Sequence, residues 1–579
     1  MIAAWRRTLQ QLSTFALYPR ADILYGCHAH AARWTGHTKP GIAAWACGAA
    51  PGVLGDSPHA HAAIDLPCAA SLGRRGHGTQ CSGMVLVVVL VVVALLSLAA
   101  LTFSELMLTE REAAELSLRR IQARAAADSG VETARVLLAL DAETQKEANG
   151  VYDNPERFAG QIVVPGDIPR DQCRFSIIAP DMANGQFAGI RHGLEDESAR
   201  LNLNAVLQAD ETSPGSGREL LMGLPGMTEE IADAILDWID SDPDPREFGC
   251  EDEYYTALNP PYSAKNRPLE TIEELLLVRG VTPELLFGVD ENRNGAVDPN
   301  ERDPMSIADA DNSDGSMNRG WSAYLTLWSA ESNLRPDGQM KININQEDMQ
   351  TLFDEASAVA GPETARYIVA CRQGGPPATA TGLRQPFTGQ LDLTKPGKYT
   401  FKAVIELIGT EVKVNSTDYL QSPFPNIPGS IMNGYFPLLF DNFTTRTKPV
   451  IPARININTA PRVILLGVPG LSEEMVDQII SLREPDPAKA ESHRRYETWL
   501  LSESVVSLDE MKALVPYICG SGSVYRAQVV GYFDHEGPDV RIEAILDATK
   551  RPTRVLFWRD MSHLGIGYTR EMLGGGVTE

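Results

Sequence analysis

The run MVLVVVLVVVALLSLAALTF, Met84 to Phe103 behind Gly83, decides how this chain is read. Its 20 residues carry no charge. At about 1.5 Å of helical rise per residue they reach about 30 Å, the thickness of a bilayer's hydrocarbon core. The stretch after it, Ser104 to Leu140, has no Pro, one Gly and many Ala, Leu, Glu and Arg, a helix-forming composition. Leu106, Leu116, Ile121, Ala125, Val131 and Leu138 recur at helical spacing. The pattern predicts one long helix that starts in a membrane and ends beneath a soluble domain.

Composition bounds the rest. The 579 residues are 43% hydrophobic and 22% charged, a globular balance with room for several domains. The net charge of −25 repels polyanions, because nucleic-acid binding rests on Lys and Arg neutralising phosphates. No nucleic-acid partner is expected. Residues 1–83 hold six of the ten His, four of the eight Cys and three acidic residues. They read as a targeting leader or as the product of a start codon placed too early. Cys27, Cys47, Cys68 and Cys81 show no metal-ligand spacing. Cys173, Cys250, Cys371 and Cys519 permit disulfides in an oxidising compartment, with three possible pairings. Arg74 and Arg75 precede the apolar run and Arg111, Arg119, Arg120 and Arg124 follow it, so charge alone does not set the orientation.

Beyond the long helix, Gly160 to Pro180 gives two apolar runs around a Pro and Asp loop, read as strands. A small unit then recurs three times. LNLN (201–204) precedes LPGMTEEIADAILDWI, ININ (342–345) precedes AGPETARYIVACR, and ININ (455–458) precedes VPGLSEEMVDQIISLR. Alternation puts Leu or Ile on one face, Asn turns or caps the chain, and Thr228 or Ser472 is the expected N-cap before two glutamates. The unit resembles a helix-hairpin-helix. With so much negative charge, it reads as a packing module before it reads as a grip on nucleic acid. Gly320 to Asn333 alternates like a strand, and 421–443 is an aromatic, Pro-rich loop that either offers a contact surface or lies on its own domain. Three runs within Val524 to Met561 look like a closing antiparallel meander.

Two acidic stretches suggest a cation. Asp240, Asp242, Asp244, Glu251, Asp252 and Glu253 crowd a Pro-containing loop, which suits either Ca²⁺ or plain solvation. DENRNGAVDPNE matches the calcium-loop pattern, with Asp290, Asn292 and Asn294 at positions 1, 3 and 5, Gly295 at 6, the Ala296 carbonyl at 7, Asp298 at 9 and Glu301 at 12. VTPELLFG can enter such a loop as a helix, while the residues after it do not look like an exit helix. A degenerate second loop follows at Asp309, Asp311, Ser313 and Asp314. The chain has no HExxH, GxSxG, GxxxxGK[ST] or CxxC, and no catalytic constellation is visible, so an enzyme is not expected.

The apolar span behind Gly83, the helix RIQARAAADSGVETARVLL, the run ILDWIDSDPDPREFGCEDEYYTALNPPYSAKNRPLETIEELLLVRGVTPEL, SAESN and KININ together resemble the K-type minor pseudopilins of type II secretion systems. That resemblance implies an α+β, pilin-like fold: a long N-terminal transmembrane helix on an antiparallel sheet, with a large inserted helical domain. It implies calcium in that domain, I-type and J-type minor pseudopilins as partners at the fibre tip, and prepilin peptidase cutting between Gly83 and Met84. It also implies a single-pass inner-membrane protein with its C-terminal part in the periplasm. Val88 then takes the fifth mature position, where ordinary pilin-like subunits carry a glutamate. The expected divisions are 1–83 leader or extension, 84–103 membrane span, 104–140 helix continuation, and 141–200 first strands. They continue with 201–320 inserted acidic domain, 321–454 strand and second repeat, 455–520 third repeat, and 521–579 final strands. A membrane-tethered DNA receptor with helix-hairpin-helix copies is the competing reading, and a membrane-anchored hydrolase lacks a visible nucleophile and base.

Overall fold

A computed structural model describes residues 82–575 apart from 296–297, 299–300, 302–311, 313–314, 380–384, 416, 453 and 536. The expected leader up to Cys81, the Ala296 carbonyl, the degenerate loop's Asp309, Asp311, Ser313 and Asp314, and part of the Gly and Pro loop after Arg372 lie outside the described residues.

Helix α1 runs over Ser82–Leu138. It includes one stretch apolar enough to cross a membrane, with a mean hydropathy of 3.3. The soluble end of α1 packs on a seven-stranded sheet through Val131 and Leu138 of the recurring apolar set, joined by small residues the periodicity did not single out. Leu106, Leu116 and Ile121 are exposed and Ala125 faces solvent, whereas Ala123, Ala126, Ala127, Val131, Ala134, Leu137 and Leu138 are buried. The physical reason is close approach. A Cβ built on Gly531 would strike Ala123 O and lie 2.8 Å from Ala127 N, and one on Gly130 would lie 2.8 Å from Phe175 Cδ2. Bulky residues on that helical face would hold the backbones apart, so small ones make the contact.

The sheet strands are β1 (Gln161–Val164), β2 (Cys173–Ala183), β3 (Gln186–Arg191), β4 (Glu195–Asp196), β5 (Val524–Phe533), β6 (Val540–Asp547) and β7 (Arg554–Asp560). Their order is β1-β2-β5-β6-β7, with β3 beside β2 and β4 beside β5, and every neighbouring pair is antiparallel. The expected first strands and closing meander are both present. Between β4 and β5 the chain inserts 197–523, which carries its own core around Trp238, Tyr255, Trp321, Tyr367, Phe436 and Trp499. Phe175, Ile177, Val529, Ile542 and Ala544 form the layer between α1 and the sheet.

Two expectations change within the insertion. Gly320 to Asn333 is not one strand: a 3-10 turn (Trp321–Ala323) is followed by two short pieces, Leu325–Thr326 and Ala330–Ser332. The pieces pair with separate partners, which alternation alone cannot reveal. The 421–443 stretch is mostly a helix, Ser430–Asn442, burying Met432, Phe436 and Leu439. It lies on its own domain. Cys173, Cys250, Cys371 and Cys519 are all buried free thiols, so none of the three disulfide pairings forms.

Overpacking a close backbone contact costs about 1–3 kcal/mol. Gly531→Ala should therefore lower the unfolding free energy by an amount in that range, read as a lower denaturant midpoint at unchanged slope by far-UV circular dichroism. An unchanged midpoint would show that α1 does not rest on β5 as described.

Candidate functional site

The three repeated units explain their asparagines. In each, the first apolar pair makes a two-residue parallel bridge: Leu201–Asn202 with Leu325–Thr326, Ile342–Asn343 with Phe443–Thr444, and Ile455–Asn456 with Ile518–Cys519. The first Asn closes an Asx turn, Oδ1 of Asn202, Asn343 and Asn456 accepting from the N–H two residues on at 3.0, 2.9 and 2.9 Å. The second Asn is a clamp onto a distant segment. Asn204 donates to Leu269 O (3.0 Å) and accepts its N–H (2.7 Å), and Asn345 does the same with Phe401 (2.8 and 2.8 Å). Asn458 donates to Gly520 O at 2.8 Å and accepts from Trp499 Nε1 at 3.0 Å. The sequence reading gave Asn only the turn. A signal for the clamp existed in PLETIEEL and TFKAVIEL, whose Glu274 and Glu406 fold back onto Thr271 N and Ala403 N.

Helices Glu229–Ile239 and Glu473–Leu482 start at Thr228 and Ser472, whose hydroxyls accept from Ile231 N (3.4 Å) and Met475 N (3.3 Å). The turn glycines Gly226 and Gly470 have φ of +68° and +86°, a region that disfavours any side chain. These turns serve packing. A Cβ on Gly223 would lie 2.6 Å from Gly467 Cα, and Trp321 Nε1 takes the Pro225 carbonyl at 2.8 Å. The nearby guanidiniums are neutralised: Arg218 by Asp233 at 2.6 Å, and Arg462 by Glu473 and Asp477 at 2.6 and 3.0 Å. Nothing in this arrangement supports a DNA receptor.

The calcium-pattern loop closes on itself. Asp290, 3% exposed, accepts from Asn294 N at 3.0 Å and Gly295 N at 2.8 Å. Gly295 has φ +85°. Glu301 reaches back to Glu291 N (3.0 Å), Asn292 N (3.4 Å) and Asp298 N (2.8 Å), and the amides of Asn292 and Asn294 meet Asp298 Oδ2 at 2.7 and 3.1 Å. Asp290, Asn292, Asn294, Asp298 and Glu301 are thus brought onto one turn, entered by the helix Pro283–Phe287. Burial pushes the Asp290 carboxyl up, opposed by the Gly295 amide and by Arg319. The sheet holds this loop: Arg541 of β6 donates to Asn292 O at 2.7 Å and to Arg293 O, and Asn294 Nδ2 to Gly567 O at 2.8 Å. Neither contact was legible in the motif.

The other acidic stretch divides. Asp242, Asp244, Asp252 and Glu253 are on the surface, Asp242 capping Asp244 N at 3.1 Å and Asp252 capping Ala264 N at 2.7 Å. Glu251 and Asp240 turn inward, 6% and 8% exposed. Both Glu251 carboxylate oxygens, Asp240 Oδ1 and Asn266 Oδ1 are buried without a hydrogen-bond partner. Burial pushes Glu251 up to about 7, opposed by Asn266 and reinforced by the carboxylates of Asp237, Asp240 and Asp252. Asp237 and Asp240 share Arg246, whose Nη1 lies 2.8 Å from Asp237 Oδ1. Asp237 and Asn266 are the members that sequence reading missed.

Buried oxygen acceptors without donors are costly, and an all-oxygen donor set is the chemistry a hard cation such as Ca²⁺ takes. The residues of both stretches fit that group. Among the described residues no three His, Cys, Asp or Glu side chains converge closely enough to hold a metal alone, so carbonyls and water would fill the remaining positions.

A helix long and apolar enough to cross a membrane, continued onto an antiparallel sheet with a helical insertion bearing oxygen-rich loops, defines an α+β scaffold with no evident catalytic centre among its described residues. The family model for Type II secretion system (T2SS), protein K matches residues 199–288. The chain is 27% identical over 204 residues to type II secretion system protein K of Klebsiella pneumoniae, covering 35% of this chain and 59% of that protein. It is 30% identical over 106 residues to a putative type II secretion system protein K of Escherichia coli K12, covering 17% of this chain and 32% of that protein. A chain in the crystal structure of the GspK-GspI-GspJ complex from enterotoxigenic Escherichia coli overlays with a TM-score of 0.35 at 13% identity, covering 78% of this chain and 99% of that one. The chain is thus similar, over its insertion above all, to type II secretion system protein K, and its alignment spans about three-fifths of the Klebsiella relative's length.

Calcium at these loops should raise the thermal midpoint of the full chain in detergent, and a chelator should lower it. A ligand that binds only the folded form adds about 2.7 kcal/mol at a hundredfold excess over Kd. Glu251→Gln and Glu301→Gln should each reduce the shift, and the double variant should abolish it. A midpoint indifferent to calcium in the wild type would remove both sites.

Proposed function

We propose that this protein is a minor pseudopilin at the tip of the type II secretion pseudopilus, where it helps initiate fibre assembly and export across the outer membrane. Met84–Phe103 anchors it in the inner membrane, and the part beyond the helix stands in the periplasm. I-type and J-type minor pseudopilins are its partners, Ca²⁺ supports the insertion at the two acidic loops, and prepilin peptidase cuts between Gly83 and Met84. The similarity of residues 199–288 to the protein K family model, and of the chain to protein K relatives, supports the class. The observation that carries the tip position is Val88.

A carboxylate at the centre of a bilayer costs about 2.5–3.5 kcal/mol on insertion scales. In an ordinary pilin-like subunit that cost is offset when the fifth-position glutamate pairs with the amino terminus of the subunit above. A tip subunit has no subunit above it. Val88 lies in an uncharged run whose nearest acid is Glu105, so this chain carries no such cost and offers no such pair. Immunogold labelling of assembled fibres should place the protein at one end only; label along the shaft would contradict the tip position, and unlabelled fibres would favour a plain anchor.

The cleavage proposal follows from the abrupt start of the apolar run after Gly83. N-terminal sequencing of the mature protein should begin at Met84, and Gly83→Ala should leave the precursor to accumulate. A different mature end, or normal processing of Gly83→Ala, would refute the assignment.

A further inference from the structure

A cavity of about 730 Å³ opens in the insertion, among Glu331, Lys341, the Tyr399–Glu406 segment, the end of helix Ser430–Asn442, Arg446, Arg454 and the Arg495–Glu497 turn. It is unrelated to the acidic loops, none of whose residues lines it. Its size is within the roughly 300–1,000 Å³ of ligand-binding clefts. Tyr399, Phe440, Phe443 and Tyr496 supply aromatic wall.

Charge makes the cavity unusual in a chain of net charge −25. Six cations line it, Lys341, Lys402, Arg446, Arg454, Arg495 and Lys512, against four carboxylates, Glu331, Glu406, Asp441 and Glu497. Each carboxylate already has a partner in the wall. Arg454 lies 2.6 Å from Glu331 and 2.9 Å from Glu497. Asp441 takes Arg495 and the Tyr496 hydroxyl, the latter at 2.9 Å. Glu406 accepts from Tyr399 Oη at 2.5 Å and from Lys402 N at 2.8 Å and Ala403 N at 3.1 Å. Lys512 pairs with Asp509 at 3.2 Å.

Lys341, Lys402 and Arg446 are left over: among the described residues none has a carboxylate within ion-pair distance or a side-chain hydrogen bond. Lys402 and Arg446 are exposed, whereas Lys341 is half-buried. Taking an ammonium out of water without pairing it is unfavourable, and burial indeed pushes the Lys341 amine down, with Asp441, Glu331 and Glu497 opposing. The main chains of the three cations are tied to two neighbours: Asn333 O accepts from Lys341 N (3.3 Å), Asn333 Nδ2 donates to Arg446 O (3.5 Å), and Thr445 Oγ1 donates to Lys402 O (3.3 Å).

We propose that this cavity binds a carboxylate-rich ligand, its carboxylates placed against Lys341, Lys402 and Arg446 and its apolar body against the aromatic wall. Carboxylates suit the site better than phosphate. Each brings one charge to one cation, whereas a phosphate dianion concentrates two beside the four wall carboxylates, where like charges repel. The source is either a free polycarboxylate or acidic side chains on a peptide.

The test uses the full chain in detergent with three probes: citrate by titration calorimetry, a fluorescein-labelled tetra-aspartyl peptide by polarisation, and inorganic phosphate as competitor. Saturable one-site binding of citrate or of the peptide is expected, weakened at least fivefold by Lys341→Met and by the exposed pair Lys402→Gln/Arg446→Gln, and unchanged by Lys489→Gln outside the cavity. Citrate alone would identify a free ligand, and the peptide alone a protein-borne one. Failure of both probes, binding that all variants retain, or displacement by phosphate as effective as by citrate would overturn the proposal. The exposed pair keeps the test valid if Lys341→Met disturbs folding.

Discussion

A chain of alternating charges joins the insertion to the sheet, and the placement of everything between β4 and β5 depends on it. Arg526 of β5 lies 2.6 Å from Glu197 and 3.2 Å from Glu543 of β6. Arg559 of β7 lies 2.9 Å from Glu543 and 2.7 Å from Glu273 of the insertion, which also meets Arg293 at 3.4 Å. Glu197 is fully buried and Glu543 is 6% exposed. Removing one member of such a set strands a buried charge, at about 3–5 kcal/mol. Burial pushes the Glu543 carboxyl up, but Arg526 and Arg559 outweigh it and hold it at about 2. A depressed carboxyl gives stability that is present above the ordinary glutamate range and lost as pH falls towards 2. The junction is therefore firm at neutral pH and fails in strong acid.

Why it takes ions rather than apolar packing follows from the two surfaces it joins. The outer strand β7 has exposed Val555 and Leu556, and the acid and base partners arrive from segments far apart in sequence, Glu273 and Arg559 being 286 residues apart. Arg's planar fork fixes orientation as well as distance, so a few pairs set how the inserted segment meets the strands.

Much of this was legible in the sequence, and the rest failed for identifiable reasons. The membrane-length run, the paired first strands, the closing meander and the N-caps Thr228 and Ser472 rest on local pattern, and local pattern suffices for them. On α1 the recurring apolar set includes Val131 and Leu138, which are buried, but also Leu106, Leu116 and Ile121, which are exposed, because Gly531 and Gly130 select for small residues by close approach. The calcium-pattern loop was visible because its members lie within twelve residues of each other. Its docking by Arg541 was invisible because that contact spans 249 residues. Glu251 stood in a row of acids that composition cannot rank; only burial separates it and Asp240 from their solvated neighbours.

The loop from Asp290 to Glu301 meets the sheet in a way that separates attachment from ligand chemistry. Arg541, fully buried, donates to the main-chain carbonyls of Asn292 and Arg293, and the Asn294 amide donates to Gly567 O. The nearest cation to the Asp290 carboxylate is Arg319, at the outer limit of an ion pair, 4.0 Å. Had Arg541 gripped the carboxylates directly, a cation entering the loop would compete with it and loosen the loop from β6. Because it grips main-chain carbonyls instead, the carboxylates can change partner or protonation while the attachment to the sheet stays in place.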